Sequence, residues 1–150
     1  MKVDVEKKEV LFVCIHNSAR SQMAEAFLNA FGEERFHAES AGLEPGNLNP
    51  IVVEAMKEIG FDISKNRTKS VNDSLIKNKA YDYVITVCDE TSAERCPVFS
   101  GKGKRLHWGF EDPSMLQGGR SEKLEGTRII RDRIMDKVKA WILEQRRWYL

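Results

Sequence analysis

Residues 10–28 read Val10-Leu-Phe-Val-Cys-Ile-His-Asn-Ser-Ala-Arg-Ser-Gln-Met-Ala-Glu-Ala-Phe-Leu28. The apolar run 10–13 is typical of a short buried strand, and from Ser21 onward helix formers carry apolar residues at a helical spacing. The segment therefore predicts a strand that turns directly into a helix. Cys14 and Arg20 both lie on that turn.

A turn of this kind favours anion binding, because the free amides and the dipole at a helix N-terminus both attract negative charge. Arg20 adds a planar fork that can hold a tetrahedral oxyanion through two parallel hydrogen bonds. The same surroundings favour the thiolate of Cys14, which is the nucleophilic form of cysteine. We expect the oxyanion to be bound by Ile15, His16, Asn17, Ser18, Ala19, Arg20 and Ser21.

Two of these residues have side chains suited to a particular task. Asn17 tolerates a left-handed backbone, which would let successive amides point inward. The hydroxyl of Ser21 can donate a hydrogen bond to a thiolate. We therefore predict that Cys14 is a nucleophile facing a bound oxyanion. The alternative is a buried structural cysteine with Arg20 at the surface.

The composition limits the classes of partner. The 150 residues carry 24 basic and 23 acidic side chains, a net charge of +1, so no electrostatic feature indicates nucleic acid or a membrane surface. The chain has no apolar stretch near 18 residues, and its first eight residues are charged throughout, so neither a membrane span nor a secretory signal is predicted. We expect a single domain over residues 1–150, a monomer, in the cytoplasm.

The three cysteines are an odd number, which argues against the disulfide framework of a small secreted protein. In a reducing compartment, a disulfide would instead be transient and catalytic. The three histidines are scattered and complete no metal-ligand spacing. We therefore predict no metal site from these residues.

Strand and helix patterns alternate along the chain. The predicted strands are 10–13, 36–40, 83–87 and 105–108, and the predicted helices are 21–31, 50–59, 72–77 and 122–145. Asn49 supplies an N-cap for the second helix, and Gly60 marks its end. This alternation predicts an α/β fold with a four-stranded parallel sheet and helices on both faces. The terminal Trp148-Tyr149-Leu150 either packs back onto the body or forms a subunit contact.

Ligands of open parallel sheets bind beyond the carboxyl ends of the strands, where Cys14, Cys88 and Asp112 all fall. Asp112 precedes Pro113, which favours an extended backbone, and its carboxyl could donate a proton to a leaving oxygen. An ordinary Asp-Pro turn is the alternative. Cys88 and Cys96 flank an exposed polar loop whose length permits a disulfide. They could also be two buried thiols that only fill space.

Several motifs together resemble the low-molecular-weight protein tyrosine phosphatase superfamily, and within it the thioredoxin-coupled arsenate reductases. They are Cys14-x-x-Asn17-Ser18-x-Arg20-Ser21-Gln22-Met23-Ala24-Glu25, Ser40-Ala41-Gly42, Cys96-Pro97 and His107-Trp108-Gly109-Phe110-x-Asp112-Pro113. The phosphatase branch usually has proline where Gln22 stands and aromatic residues just after its Asp-Pro. Here Ser114-Met115-Leu116 follow instead.

The resemblance implies reduction of arsenate to arsenite, for arsenic detoxification, by a relay of three cysteines. Cys14 would attack arsenate bound by Arg20, with Asp112 as the proton donor. Cys88 and then Cys96 would follow, and the resulting disulfide would be reduced by thioredoxin or by a glutaredoxin and glutathione system. The alternative within the superfamily is a phosphatase acting on phosphotyrosine or a small phosphomonoester through Cys14, Arg20 and Asp112. A third hypothesis is a non-enzymatic module that binds oxyanions or senses redox state.

The sequence also departs from the family pattern. His16 stands where the family often has glycine, which would alter the electrostatics of the turn. Some relatives bind potassium near this turn, and Asn17, Glu25 and Ser40 match a weak site of that kind, although the aspartate expected near Ser70 is missing. The spacing between Cys88 and Cys96 is one residue longer than in some relatives.

Overall fold

The computed structural model describes residues 6–97, 99 and 103–146. Its strands are β1 (Lys8–Cys14), β2 (Phe36–Gly42), β3 (Tyr83–Thr86) and β4 (Lys104–His107). Its helices are α1 (Arg20–Phe31), α2 (Pro50–Lys57), α3 (Ser74–Lys77), α4 (Glu90–Ala93) and α5 (Arg120–Arg146), with a short 3-10 helix at Pro113–Met115. The terminal Trp148-Tyr149-Leu150 lies outside the described residues.

The four strands form one parallel sheet in the order β2-β1-β3-β4, which confirms the predicted fold class. Strand β2 lies next to β1 at one edge of the sheet, and β3 and β4 follow on the opposite side of β1. The order therefore reverses between β1 and β3, and ligand sites of open sheets lie at such reversals. Cys14 ends β1 at this point.

The core has two parts because β1 is buried on both faces. Phe12 points into the larger cluster, where side chains of α1, α2 and α5 such as Phe27, Met56 and Ile134 cover the sheet. Alternate side chains of β1 point to the smaller cluster on the other face, together with Ile76 of α3. The longer helices thus cover one face, and only short segments cover the other.

The predicted N-cap of α2 is confirmed, and Lys57 ends the helix two residues before the predicted Ile59. The Asn49 side chain accepts hydrogen bonds from the amides of Ile51 and Val52 at the start of α2, and Gly60 has a φ of +89° after the helix. One segment differs from prediction, since the polar loop 89–95 contains the single-turn helix α4. Asp89 caps α4 by accepting a hydrogen bond from the amide of Ser92 at 3.0 Å. No helix in the described part of the chain is long and apolar enough to cross a membrane.

Candidate active site

The oxyanion loop, residues 14–20, is held by the segment 43–49 that runs beside it. Its carbonyl oxygens accept hydrogen bonds from that segment: Cys14 from Leu43 at 3.1 Å, Ile15 from Glu44 at 2.7 Å, His16 from Gly46 at 3.0 Å and Ser18 from Asn49 at 3.0 Å. In a trans peptide the carbonyl and the following amide point in opposite directions. The amides that follow these carbonyls therefore point away from segment 43–49.

The direction of the amides is visible at Asn17, whose N–H donates to Cys14 Sγ at 3.2 Å. Asn17 has a φ of +55°, the left-handed conformation expected for it. Its side-chain oxygen accepts from Gln22 Nε2 at 3.1 Å and from the amide of Lys69 at 2.9 Å, which fixes the orientation of the amide group. The buried Asn17 side chain therefore stabilises the conformation of the loop.

Ser21 is oriented to stabilise a thiolate. Its Oγ accepts a hydrogen bond from Asn17 Nδ2 at 2.7 Å and lies 2.9 Å from Cys14 Sγ. Because the hydroxyl already accepts from Asn17, its single hydrogen is free to point at the sulfur. Cys14 Sγ thus accepts a hydrogen bond from the Asn17 amide and makes a second hydrogen bond with Ser21.

Helix α1 begins without a capping side chain. Its N-cap residue is Ala19, and no side-chain hydrogen bond is made there. The first-turn amides and the positive end of the dipole therefore stay available to an anion. The first residue of the helix, Arg20, is only 5% exposed.

Arg20 connects the oxyanion loop to the acid loop, which we define as residues 108–116. One guanidinium nitrogen donates to the carbonyl of Phe110 at 3.1 Å, and another lies 3.5 Å from Asp112 Oδ2. The other oxygen of Asp112 accepts from the amide of Ser114 at 2.9 Å, and the carboxyl is 21% exposed. The structure thus brings together Arg20 and Asp112, with the acid at a rim where it can exchange protons with water.

Cys88 lies just beyond β3, in the same buried cluster as Cys14. Burial raises the pKa of the Cys88 thiol to about 11, and the positive charge of Arg20 acts in the opposite direction. The resting thiol is therefore neutral at physiological pH.

The raised pKa of Cys88 predicts a loss of stability in alkali. In the unfolded chain the thiol ionises near its ordinary value of about 8.5. The contribution of the neutral native thiol to the free energy of unfolding is therefore fully present below that pH. This contribution is lost as the pH rises toward about 11. Between pH 8 and 10.5 we expect the free energy of unfolding to fall by about 2 kcal/mol more in the wild type than in Cys88→Ala. Urea unfolding of both proteins at pH 8 and pH 10.5 measures these free energies. Equal decreases in the wild type and in Cys88→Ala would contradict the prediction.

Cys96 lies in the smaller core cluster, on the other face of the sheet from Cys88. Its thiol donates to the carbonyl of Pro97 at 3.7 Å, and burial raises its pKa. All three cysteines are free thiols. A Cys88–Cys96 disulfide therefore requires segment 89–96 to rearrange. None of the residues of α4 is buried, so this single turn would unfold at little cost.

The histidines make local contacts. His16 is exposed, and its Nδ1 lies 2.7 Å from the carbonyl of Glu44, so the ring is held toward segment 43–49. His107 Nδ1 lies 2.7 Å from the hydroxyl of Thr86 at the end of β3. The first contact joins the oxyanion loop to segment 43–49, and the second joins the ends of β3 and β4.

The three residues matched to a potassium site make hydrogen bonds within the chain. The side-chain oxygen of Asn17 already accepts from two N–H donors. Ser40 donates its hydroxyl hydrogen to Glu25 at 3.2 Å. Burial raises the pKa of Glu25, and the positive charge of Lys69 acts against that rise. Potassium binding by Asn17, Glu25 and Ser40 therefore stays a prediction.

A cluster away from this site brings together Glu9, His37 and Glu39 at the start of the sheet. Sequence spacing did not indicate it, because β1 and β2 pair these residues across the sheet. Lys79 Nζ lies 3.0 Å from Glu9 and 2.7 Å from Glu39. The two carboxylates are therefore already paired with an internal cation.

Gly42 has a role that its sequence motif did not reveal. A Cβ atom there would lie 2.8 Å from both the Asn17 nitrogen and the Ile15 oxygen, which are backbone atoms of the oxyanion loop. We expect Gly42→Ala to displace this loop and to weaken phosphate binding by at least about tenfold, since small misplacements of binding groups have large effects. Titration with phosphate measures this, and Gly119→Ala, where a Cβ would lie no closer than 4.0 Å to another residue, is the matched control. An unchanged affinity in Gly42→Ala would contradict the prediction.

Comparisons with known proteins agree with this site. The family model described as low molecular weight phosphotyrosine protein phosphatase matches residues 9–147. An arsenate reductase of Bacillus subtilis is 43% identical over 137 residues, which are 91% of this chain and 96% of that protein.

Solved structures show the same relationship. An arsenate reductase in the phosphate binding state is 30% identical with a TM-score of 0.71, covering 91% of this chain and 98% of that one. A thioredoxin-dependent arsenate reductase of Corynebacterium glutamicum is 30% identical with a TM-score of 0.61, covering 92% of this chain and 65% of that one. The chain belongs to the low molecular weight phosphotyrosine protein phosphatase family, on the branch that contains the arsenate reductases.

Proposed function

We propose that this protein reduces arsenate to arsenite through Cys14, Cys88 and Cys96, with thioredoxin as the reductant. The observation that carries the proposal is Cys14 Sγ, held by Ser21 and the Asn17 amide. Cys88 packs in the same cluster, which places a second thiol near the first. The relatives named as arsenate reductases support the choice of substrate.

In the first step the Cys14 thiolate attacks arsenic, so that a sulfur–arsenic bond forms and an arsenic–oxygen bond breaks. Asp112 gives its proton to the departing oxygen, which leaves as water. Arg20 and the loop amides hold the remaining oxygens and their negative charge. The distance of 3.5 Å between Arg20 and Asp112 supports their action on one bound anion.

In the second step Cys88 loses its proton and attacks Cys14 Sγ. A sulfur–sulfur bond forms, and the two electrons of the sulfur–arsenic bond stay on arsenic, which leaves as arsenite. Arg20 favours this step, because its charge opposes the rise of the Cys88 pKa that burial causes. The thiols supply both electrons, so the proposed chemistry needs no metal or organic cofactor.

In the third step Cys96 attacks Cys88, which frees Cys14 and leaves a Cys88–Cys96 disulfide. Thioredoxin reduces that disulfide by thiol–disulfide exchange. The thioredoxin-dependent relative supports this reductant over a glutaredoxin and glutathione system. We propose a cytoplasmic monomer, since the cycle needs a reducing compartment.

A phosphatase activity is the second candidate. Cys14, Arg20 and Asp112 would also hydrolyse a phosphomonoester through a phosphocysteine, because phosphate and arsenate have the same shape and charge. The family to which the chain belongs favours this alternative. Cys88 and Cys96 distinguish the two reactions, since reduction uses both and hydrolysis uses neither.

The test measures NADPH oxidation with thioredoxin, thioredoxin reductase and arsenate, next to hydrolysis of p-nitrophenyl phosphate. Arsenate-dependent oxidation that disappears in Cys14→Ser would support the proposal. Hydrolysis without arsenate-dependent oxidation would favour the phosphatase. If only glutaredoxin and glutathione sustain turnover, the reductase function stands and the choice of thioredoxin is wrong.

A further inference from the structure

We propose that Asn49 is a positioning residue that couples the oxyanion loop to the acid loop. It lies at the start of α2, and its place in the sequence predicted only a helix cap. Three different groups of this residue bind three different parts of the site. The inference rests on the proposed function in one respect, which is that Asp112 acts as the proton donor.

The contacts of Asn49 separate by atom. Its backbone amide donates to the carbonyl of Ser18 in the oxyanion loop at 3.0 Å. Its Oδ1 accepts from the amides of Ile51 at 2.9 Å and Val52 at 3.3 Å, which is the capping function. Its Nδ2 donates to the hydroxyl of Ser114 in the acid loop at 3.0 Å. Capping does not use Nδ2, so this last bond has a separate role.

Ser114 transmits the contact to the acid. Its amide donates to Asp112 Oδ1 at 2.9 Å, which orients the carboxyl so that Oδ2 faces Arg20. Pro113 is buried and anchors the start of the turn, whereas Ser114 and Met115 are exposed, Met115 by 69%, so apolar packing does not hold the side of the turn that contacts Asn49. The hydrogen bond from Asn49 therefore restrains the turn that carries the acid.

Arg20 is a further restraint on the acid loop, through Phe110 and Asp112. A bound oxyanion would compete for the same guanidinium, because its charge is higher and its oxygens match the fork. The grip of Arg20 on the acid loop would then weaken at the moment when Asp112 must be in place. The link from Asn49 does not involve the anion and would persist.

The experiment separates capping from coupling by choice of variant. Asn49→Ser keeps an oxygen suited to capping but is too short to reach Ser114. Ser114→Ala removes the acceptor of the bond and leaves Asn49 intact. Asn49→Asp is the matched control, because it keeps the cap and can accept a hydrogen bond from the Ser114 hydroxyl.

We expect Asn49→Ser and Ser114→Ala each to lower kcat for arsenate reduction by about tenfold, with KM and phosphate affinity unchanged, since a displaced acid loses part of its contribution. The double variant should be no worse than either single one, and Asn49→Asp should recover most of the rate. Hydrogen exchange of residues 112–116 should quicken in the two single variants.

The outcomes distinguish this inference from the proposed function. A wild type that reduces no arsenate would reject the function, while exchange in residues 112–116 would still test the link. Unchanged exchange in Asn49→Ser would overturn the inference. The inference would also be overturned by additive losses of kcat in the double variant or by an unchanged kcat in Ser114→Ala. A loss of activity that a lower melting temperature explains entirely would overturn it as well.

Discussion

Replacing Arg20 by lysine is expected to lower arsenate-dependent turnover by about 10³-fold. The guanidinium donates to Phe110 and faces Asp112 while it remains close to the oxyanion loop. Lysine keeps the charge but has no planar fork, so it cannot hold two oxygens of the anion and also meet the acid loop. Removal of a single oxyanion donor typically costs about 10²–10³ in kcat, and here a partner of the acid is lost as well.

The measurement is steady-state NADPH oxidation coupled to thioredoxin. Arg128→Lys is the matched control, because Arg128 forms exposed ion pairs with Glu58 and Glu125 away from the site. We expect that control to retain wild-type turnover. If Arg20→Lys kept more than about a tenth of the wild-type rate, charge alone would suffice and the fork would not matter.

Replacing Cys96 by serine is expected to stop the reaction after a single turnover. Cys14 and Cys88 share one buried cluster, so arsenite release should proceed once and leave these two sulfurs in a disulfide. Without the third thiol nothing within the chain can free Cys14 again. We therefore expect about one arsenite per protein molecule and no continuing consumption of NADPH.

Counting arsenite after rapid quenching, with mass analysis of the disulfide, measures this. Ser92→Ala on α4 is the matched control, because it perturbs the same segment and leaves all three thiols in place. Continued turnover in Cys96→Ser would show that thioredoxin reduces the Cys14–Cys88 disulfide directly. A complete absence of arsenite would mean that Cys96 is needed before arsenite is released.

The local part of the site could be read from sequence because it depends on neighbours in the chain. Val10–Val13 are buried in a strand, as the apolar run predicted. The strand extends one residue further, to Cys14, and α1 begins at Arg20, one residue before the predicted Ser21. The left-handed backbone of Asn17 follows from the short side chain of that residue. The parallel sheet followed from the alternation of strands and helices.

The relation between distant segments was decided by the tertiary structure. Sequence placed Cys88 and Cys96 on one loop, but the two thiols pack on opposite faces of the sheet. Segment 43–49, which orients the loop amides, and the bond from Asn49 to Ser114 had no sequence signal, because hydrogen bonds between loops depend on how strands pack and not on residue spacing. The sequence by itself thus predicted which groups do chemistry, since reactivity belongs to side chains and their nearest neighbours. Only the packing of the sheet decided which of those groups lie close together, as Arg20 and Asp112 do, and which need a rearrangement to make contact, as Cys88 and Cys96 do.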